Sequence, residues 1–369
     1  MVFDVEEFAR SIEPLRDCFL DLRYSEKPLR RFSEVEDPIE INRFKSDCGK
    51  IANSKAYRRL ARKSQVFPDT INPHIRTRLS HTMEVVSIAE VISDFMGLNT
   101  ELCRAGALAH DIGHWPFGHL GEDVATDLSE RQYGKERKFK HAEYGVIVAQ
   151  RIERPDEIGL NATYPTLLCV QQHSKRDQEI RADPNSMPEP AVVMNSDKIG
   201  YTFADFNDAI SRMGIIDPDT LPNYDYLDVK NMNQRALTTT CICALIKESS
   251  EKGYISFETN EIAKEFSRFK RWMYDNVYFK VDHKLQETYL TTIYEFFCED
   301  DRFEDVDPLI LLSLMTDDQA VKLASEIGSR RFIHDGMLDQ YGISEIIPYV
   351  RGKEIDFTKP DLRKKDFIY

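Results

Sequence analysis

Residues 107–122 read ALAHDIGHWPFGHLGE and hold three of the chain's nine histidines: His110, His114 and His119. Asp111 directly follows the first of them. Imidazoles and carboxylates at this density suit proton transfer or the binding of a divalent cation. Gly113, Pro116, Gly118 and Gly121 break the segment, so the chain bends while its polar groups stay close together.

A cation site needs ligands from elsewhere in the chain. His110–Asp111 closes an apolar helix expected over about 100–111, with Thr100 as N-cap. His81 lies on a helix expected over 77–97 and stopped at Gly97, where Met83, Val86, Ile88, Val91, Ile92 and Phe95 recur at helical spacing. Two antiparallel helices of that length set His81 opposite His110. Asp197 sits inside AVVMNSDKIGYTFAD, an otherwise apolar helix. A carboxylate buried there is costly unless something compensates it, and a metal ion would do so. Two imidazoles and two carboxylates form a mixed set that leaves positions open for water and substrate. Mn, Mg, Fe, Ni, Co and Zn all suit such ligands. Taken singly, a helical histidine is more often an ordinary core or surface residue. The combination carries the reading.

The elements that must position these residues are helical. Further helices are expected near 141–154, 163–173, 190–213, 231–249, 258–279, 283–299 and 317–328. Alternating strands are scarce, with a short hairpin placed near 253–258 or in the C-terminal IIPYVRGKEIDF. Charged and Pro-rich loops are expected at 129–140 and 174–190, and a soft boundary at 215–230. The fold class is therefore mainly α.

With 369 residues and 41% hydrophobic content, the chain can bury a large core. A net charge of −14 argues against a general nucleic-acid surface. No apolar run matches a membrane span, and the acidic amphipathic N-terminus, residues 1–17, is not a signal peptide. Seven scattered cysteines with no CxxC pair fit reduced thiols and a cytoplasmic setting. P-loop, GxSxG and HExxH motifs are absent.

The order His81, His110–Asp111, Asp197 resembles that of the HD-domain metal phosphohydrolases. SKAYRRLARKSQVFP, RTRLSHTMEV, HDIGHWPFGHLGE, FKHAE, DKIGYTFAD and KRWMYDNVYF carry the likeness further. They resemble the deoxynucleoside triphosphate triphosphohydrolases, the group of bacterial dGTPases and animal SAMHD-type enzymes. The resemblance implies an HD-domain helical core with an additional C-terminal helical region. We place the catalytic core with its N-terminal helices at 1–225, and at 226–369 a region completing the site and the oligomer contacts.

The implied reaction cleaves a dNTP to a deoxynucleoside and inorganic triphosphate, with dGTP among the candidate substrates. His81, His110, Asp111 and Asp197 are the implied metal ligands. His119 and Glu122 match the family's catalytic pair, three residues apart and so on one side of a helix. Glu122 is expected to orient His119, which either takes a proton from water or gives one to the leaving oxygen. His114 and His141 match further active-site histidines. Arg78 and Lys198 are implied phosphate contacts. Tyr201 is implied to pack on the sugar, with Asp205 nearby and Gln65 near base or sugar. Trp115 stands where the family often has Pro, and Lys140 where a Glu is common.

Two other readings stay open: another HD nucleotidase or phosphodiesterase, or a catalytically silent binder of nucleotide or single-stranded nucleic acid. Lys55, Arg58, Arg59, Arg62 and Lys63 would serve the last as a basic run. They could equally line an effector pocket, a subunit interface or a solvated face. The resemblance further implies a dNTP effector and a homo-oligomer, hexamer or tetramer.

Overall fold

The computed structural model describes residues 29–34, 42–68, 72–135, 137–154, 158–175, 187–281, 283–329 and 332–369. The N-terminal stretch 1–17 and most of the expected loop 174–190 lie outside them. Among the described residues the fold is helical, and the one β pairing is an isolated bridge between Ser64 and Thr77.

The first helices are α1 (Arg43–Asn53), α2 (Lys55–Arg59), α3 (Arg78–Phe95) and α4 (Thr100–Ala109). Thr77 and Ser80 form a reciprocal capping box that starts α3, and Gly97 at φ 68° follows its end. α4 begins one residue earlier than a Thr100 cap would give, because Asn99 is the cap and accepts the Leu102 amide at 3.1 Å. The apolar stripe of α3 is narrower than its spacing suggests. Val86, Ile88 and Ile92 are buried, whereas Met83 and Val91 face outward. The inward face is shared with Arg78, His81 and Thr82.

Next come α5 (His119–Tyr133), α6 (His141–Ile147), α7 (Tyr164–Gln172) and α8 (Glu189–Ser211). A π-helical turn, Val148–Ile152, continues α6. α5 runs into the loop expected from 129 and stops only where Gly134 takes φ 68° as a left-handed cap. α4 is central and packs against α1, α3, α7 and α8. Small residues on α4 permit this. A Cβ on Gly106 would strike the Cys169 side chain of α7.

The C-terminal region holds α9 (Gln234–Lys252), α10 (Glu261–Asn276), α11 (Lys284–Glu299), α12 (Pro308–Ser313) and α13 (Asp317–Gly328). Two short helices, α14 (Asp335–Gln340) and α15 (Ile347–Val350), follow. α9 and α10 pack on α8, whereas α11 and α12 pack on α5. Neither expected hairpin forms. Around 253–258 the backbone bonds to side chains instead: Ser249 Oγ takes the Ser256 amide at 2.9 Å, and Glu248 takes those of Glu258, Thr259 and Asn260. The second candidate is occupied by α15 and an irregular tail. No helix among the described residues is long and apolar enough to cross a membrane.

The turn after α4 lies directly on the start of α6. A Cβ on Gly113 would collide with the His141 carbonyl oxygen and the Gly145 amide. Gly113→Ala is expected to destabilise the protein by on the order of 3 kcal/mol, since backbone cannot yield as a side-chain tip does. Urea unfolding checks this, and an unchanged midpoint would show that the close approach is dispensable.

Candidate active site

Four residues from three helices meet at the first cluster. Nε2 of His81, on α3, lies 2.9 Å from Oδ1 of Asp197, on α8. His110 caps the C-terminus of α4, and its Nδ1 donates to the Ala107 carbonyl at 2.7 Å. That bond leaves the Nε2 lone pair facing Asp111 Oδ1 at 3.4 Å and Asp197 Oδ1 at 3.7 Å. His110 Nε2 is buried with no hydrogen-bond partner. A buried ring nitrogen set beside two carboxylate oxygens needs positive charge among them, whether a proton on the ring or a bound cation. The donor set therefore fits a divalent metal ion, and His81, His110 and Asp111 offer ligand atoms within 4.8 Å of one another.

Electrostatics keep these carboxylates ionised despite burial. Burial would raise the Asp111 carboxyl, but His110, His114 and Arg78 hold it well below the usual range. Burial likewise opposes ionisation of Asp197, and His81 and His110 overcome it. Arg78 is buried, and its Nη1 donates to Asp111 Oδ2 at 3.0 Å. It lies against Gly118, where a Cβ would strike the guanidinium.

The second cluster adjoins the first through Asp111, whose Oδ1 is 3.1 Å from His114 Nε2. His114, His119, Glu122 and His141 offer ligand-type atoms within 4.8 Å of one another. The α4–α5 loop and the first turn of α5 supply the first three, and α6 supplies His141. His114 and His141 stack at 3.8 Å between ring centroids, and His119 meets both edge-on. His119 is the exposed member, while the other three are buried.

Glu122 Oε1 bonds His141 Nδ1 at 2.8 Å and lies 2.9 Å from His114 Nδ1. It makes no hydrogen bond to His119, so the orienting contact expected from helical spacing goes to His141 instead. His141 Nε2 points at His173 Nε2, 3.1 Å away. His173 donates its Nδ1 proton to the Val170 carbonyl at 2.7 Å, so its Nε2 accepts. His141 thus holds protons on both nitrogens, clamped between a carboxylate and a neutral imidazole. Burial works against that charge, yet Glu122 raises the His141 pKa. Burial, with Arg78 and His141, pushes His114 down to about 4. Burial, with His141 and His110, pushes His173 down to about 3.

His173 is the functional candidate that sequence reasoning missed. Its signal was the one His110 gave, a histidine closing an apolar helix, and both rings spend Nδ1 on the carbonyl three residues back. His81, His110, His173, His141, His114 and His119 form one unbroken series of ring contacts.

The remaining candidates flank the clusters. Tyr201 pairs with Tyr274 of α10, and burial raises its pKa well above normal. Asp205 is buried between Arg76 and Tyr278, accepting the Tyr278 hydroxyl at 2.8 Å. Arg76 was not singled out from the sequence, yet it also meets Glu84 and Asp208. Lys198 Nζ donates to the Lys175 carbonyl at 3.1 Å. Gln65 gives its carbonyl to Arg78 Nη2, while its side-chain Oε1 is buried with no hydrogen-bond partner. Trp115 is buried against Phe139, and Lys140 pairs with Glu143 on the exterior. The basic run is largely spent internally. Lys55 meets Glu345, Arg59 meets Glu153, Arg62 meets Asp318, Arg58 donates to the Asn53 carbonyl, and Lys63 is buried.

The HD domain family model matches residues 78–194, the span from Arg78 to just before Asp197. Three relatives, each named deoxyguanosinetriphosphate triphosphohydrolase-like protein, align well beyond that span. The one from Desulfatibacillum aliphaticivorans is 36% identical over 257 residues, covering 68% of this chain and 70% of the relative. That from Clostridium perfringens is 35% identical, covering 69% and 73%. That from Caldanaerobacter subterraneus is 32% identical over 324 residues, covering 86% of each.

The charge on His141 depends on Glu122. In Glu122→Gln, the His141 pKa is expected to fall, because burial then acts without its opposing carboxylate. Histidine Hε1 resonances followed across pH check this, and an unmoved His141 titration would refute the assignment.

Proposed function

This chain belongs to the deoxyguanosinetriphosphate triphosphohydrolase-like proteins of the HD family, and on that premise we propose that it hydrolyses a dNTP to a deoxynucleoside and intact inorganic triphosphate. One observation carries the reading. A ligand set fit for a divalent cation shares Asp111 with a histidine–glutamate cluster whose single exposed member is His119.

The residues divide the work. His81, His110, Asp111 and Asp197 hold the cation, which when bound supplies Lewis acidity at the α-phosphate and a polarised water. His119, open to the cleft, moves a proton at the attacking water or the leaving 5′ oxygen. Glu122 and His141 form a buried ion pair that fixes the wall behind His119. Arg78 acts through Asp111, holding its second oxygen so that the first faces His110 and His114. Lys198 adds cationic charge for phosphate, and Gln65 lies toward base or sugar. Tyr201, with Tyr274 and Asp205, closes the sugar side, where a 2′-hydroxyl would be crowded. Manganese or magnesium is the metal we would try first.

Assembly as a homo-oligomer, a dNTP effector and a cytoplasmic setting complete the reading. Light scattering is expected to give a mass several times the 42.9 kDa of one chain. Nothing in the paired charges of the 55–63 run favours single-stranded nucleic acid as a second reading.

Purified protein incubated with each dNTP and NTP, plus Mn²⁺ or Mg²⁺, is expected to release deoxynucleoside and triphosphate, resolved by anion exchange. Monophosphate with pyrophosphate would move the protein to another phosphohydrolase class. His110→Ala and Asp197→Ala are expected to lose both bound metal and turnover. His119→Ala is expected to keep its metal and lose turnover by roughly 10²–10⁴-fold, the range of general acid–base catalysis. Normal hydrolysis by His119→Ala would overturn its assigned role.

A further inference from the structure

We infer that Asp317 is a positioning residue for His119, acting across the fold on the turn that delivers His119 to the cleft. The inference rests on the triphosphohydrolase reading above. Phe117 and Gly118 form that turn, and His119 is the next residue and the first of α5. Phe117 has φ 60° and Gly118 has φ 63°. Glycine adopts such angles freely, whereas a bulky side chain does so only when its surroundings hold it there. Gly118 has no side chain to cap α5, so the turn must be held from outside.

Asp317 supplies that hold. It is buried in the first turn of α13, a helix started by the reciprocal capping box of Thr316 and Gln319. Its Oδ1 accepts the Phe117 amide at 2.9 Å. Its Oδ2 accepts the amide and the hydroxyl of Ser64, at 2.8 and 2.5 Å. The carboxylate therefore ties the turn to residues 63–64, which are themselves tied to the base of α3. The Arg78 amide donates to the Lys63 carbonyl at 2.9 Å, and the Ser64–Thr77 bridge lies beside it. A second strap runs parallel, in which Lys63 Nζ donates to the carbonyls of His114 and Ser313. Three segments distant in sequence are thus fastened around the Phe117–Gly118 turn. Asp317 alone among them supplies both acceptors that face the two amides.

Asn at 317 tests this, because an amide has one oxygen for two backbone donors and must present its NH₂ to the other. For Asp317→Asn, kcat is expected to fall roughly 10–100-fold while KM and bound metal stay within about two-fold, the signature of a misplaced group outside substrate binding. Ser64→Ala keeps the bond to Phe117, so its kcat is expected within about three-fold of the parent. The His119 Hε1 resonance is expected to move in Asp317→Asn and to stay in Ser64→Ala. Reduced thermal stability with unchanged kcat and an unmoved His119 signal would make Asp317 a brace only and overturn the inference. Loss of metal together with kcat would overturn it as well. Should the Asn variant fail to fold, Asp317→Glu lengthens the arm while keeping both acceptors and takes the same measurements. If the parent releases no triphosphate from any dNTP, the proposed function fails, and the His119 resonance alone decides the positioning role.

Discussion

The buried ion pair between Arg78 and Asp111 organises everything around it. Each partner is nearly fully buried, so neither keeps its charge by solvation. Breaking such a pair by removing one partner strands the other, at a cost of about 3–5 kcal/mol. The geometry divides the carboxylate's duties: Oδ2 answers Arg78, and Oδ1 faces His110 and His114. Arg78 reaches that place because Gly118 has no Cβ in its path, and Gln65 takes another of its protons through a carbonyl. The glycine at 118 thus serves two ends. It permits the left-handed turn before His119 and makes room for the cation behind Asp111.

From that pair the charges sort themselves. Three neighbouring carboxylates, Asp111, Asp197 and Glu122, lie in a helical core that would neutralise any one of them alone. Imidazoles prevent this, but they are not equivalent. His110 and His173 each commit Nδ1 to a helix carbonyl, which leaves Nε2 as an acceptor. His141 has a carboxylate on one nitrogen and that acceptor on the other, so it takes the proton. His114, stacked on His141 and close to Arg78, is held neutral because burial penalises its charge and its two cationic neighbours repel a further one. Hydrogen bonds to ordinary backbone carbonyls therefore decide which rings can bind a cation and which carry charge.

What could be read from residue order and what could not follow the same division. The helices of the core and the convergence of His81, His110, Asp111 and Asp197 depend on local periodicity and on polar residues interrupting apolar runs. Both are visible in the chain. The charged, Gly-containing stretch from 129 reads as a loop, yet α5 runs through its first five residues, because a helix lying on the surface is free to be charged on its outer face. The missing hairpin at 253–258 is a matter of who supplies the acceptors. Glu248 and Ser249 do so from a neighbouring helix, which no alternation of side chains reveals. Asp205 and its partners show the limit from the other side. Arg76 lies two residues before Arg78, but its three carboxylate partners, Glu84, Asp205 and Asp208, come from two helices that only the fold brings together.

The C-terminal region carries no chemistry of its own that the sequence reveals, and yet it packs against elements of the candidate site. α11 and α12 pack on α5, and α9 and α10 pack on α8, so the helices that carry Glu122 and Asp197 are backed by it. Contact is made through backbone as much as side chain. Ser313 offers its carbonyl to Lys63 and its hydroxyl to Tyr144, and Tyr278 reaches Asp205. A strained turn keeps its shape only when the structure around it over-determines it. Phe117 is such a residue, and the restraint on it comes from 200 positions further along the chain. The candidate ligands His81, His110, Asp111 and Asp197 lie within one continuous third of the protein. The turn that presents His119 beside them is held from the remainder of the chain, through Asp317.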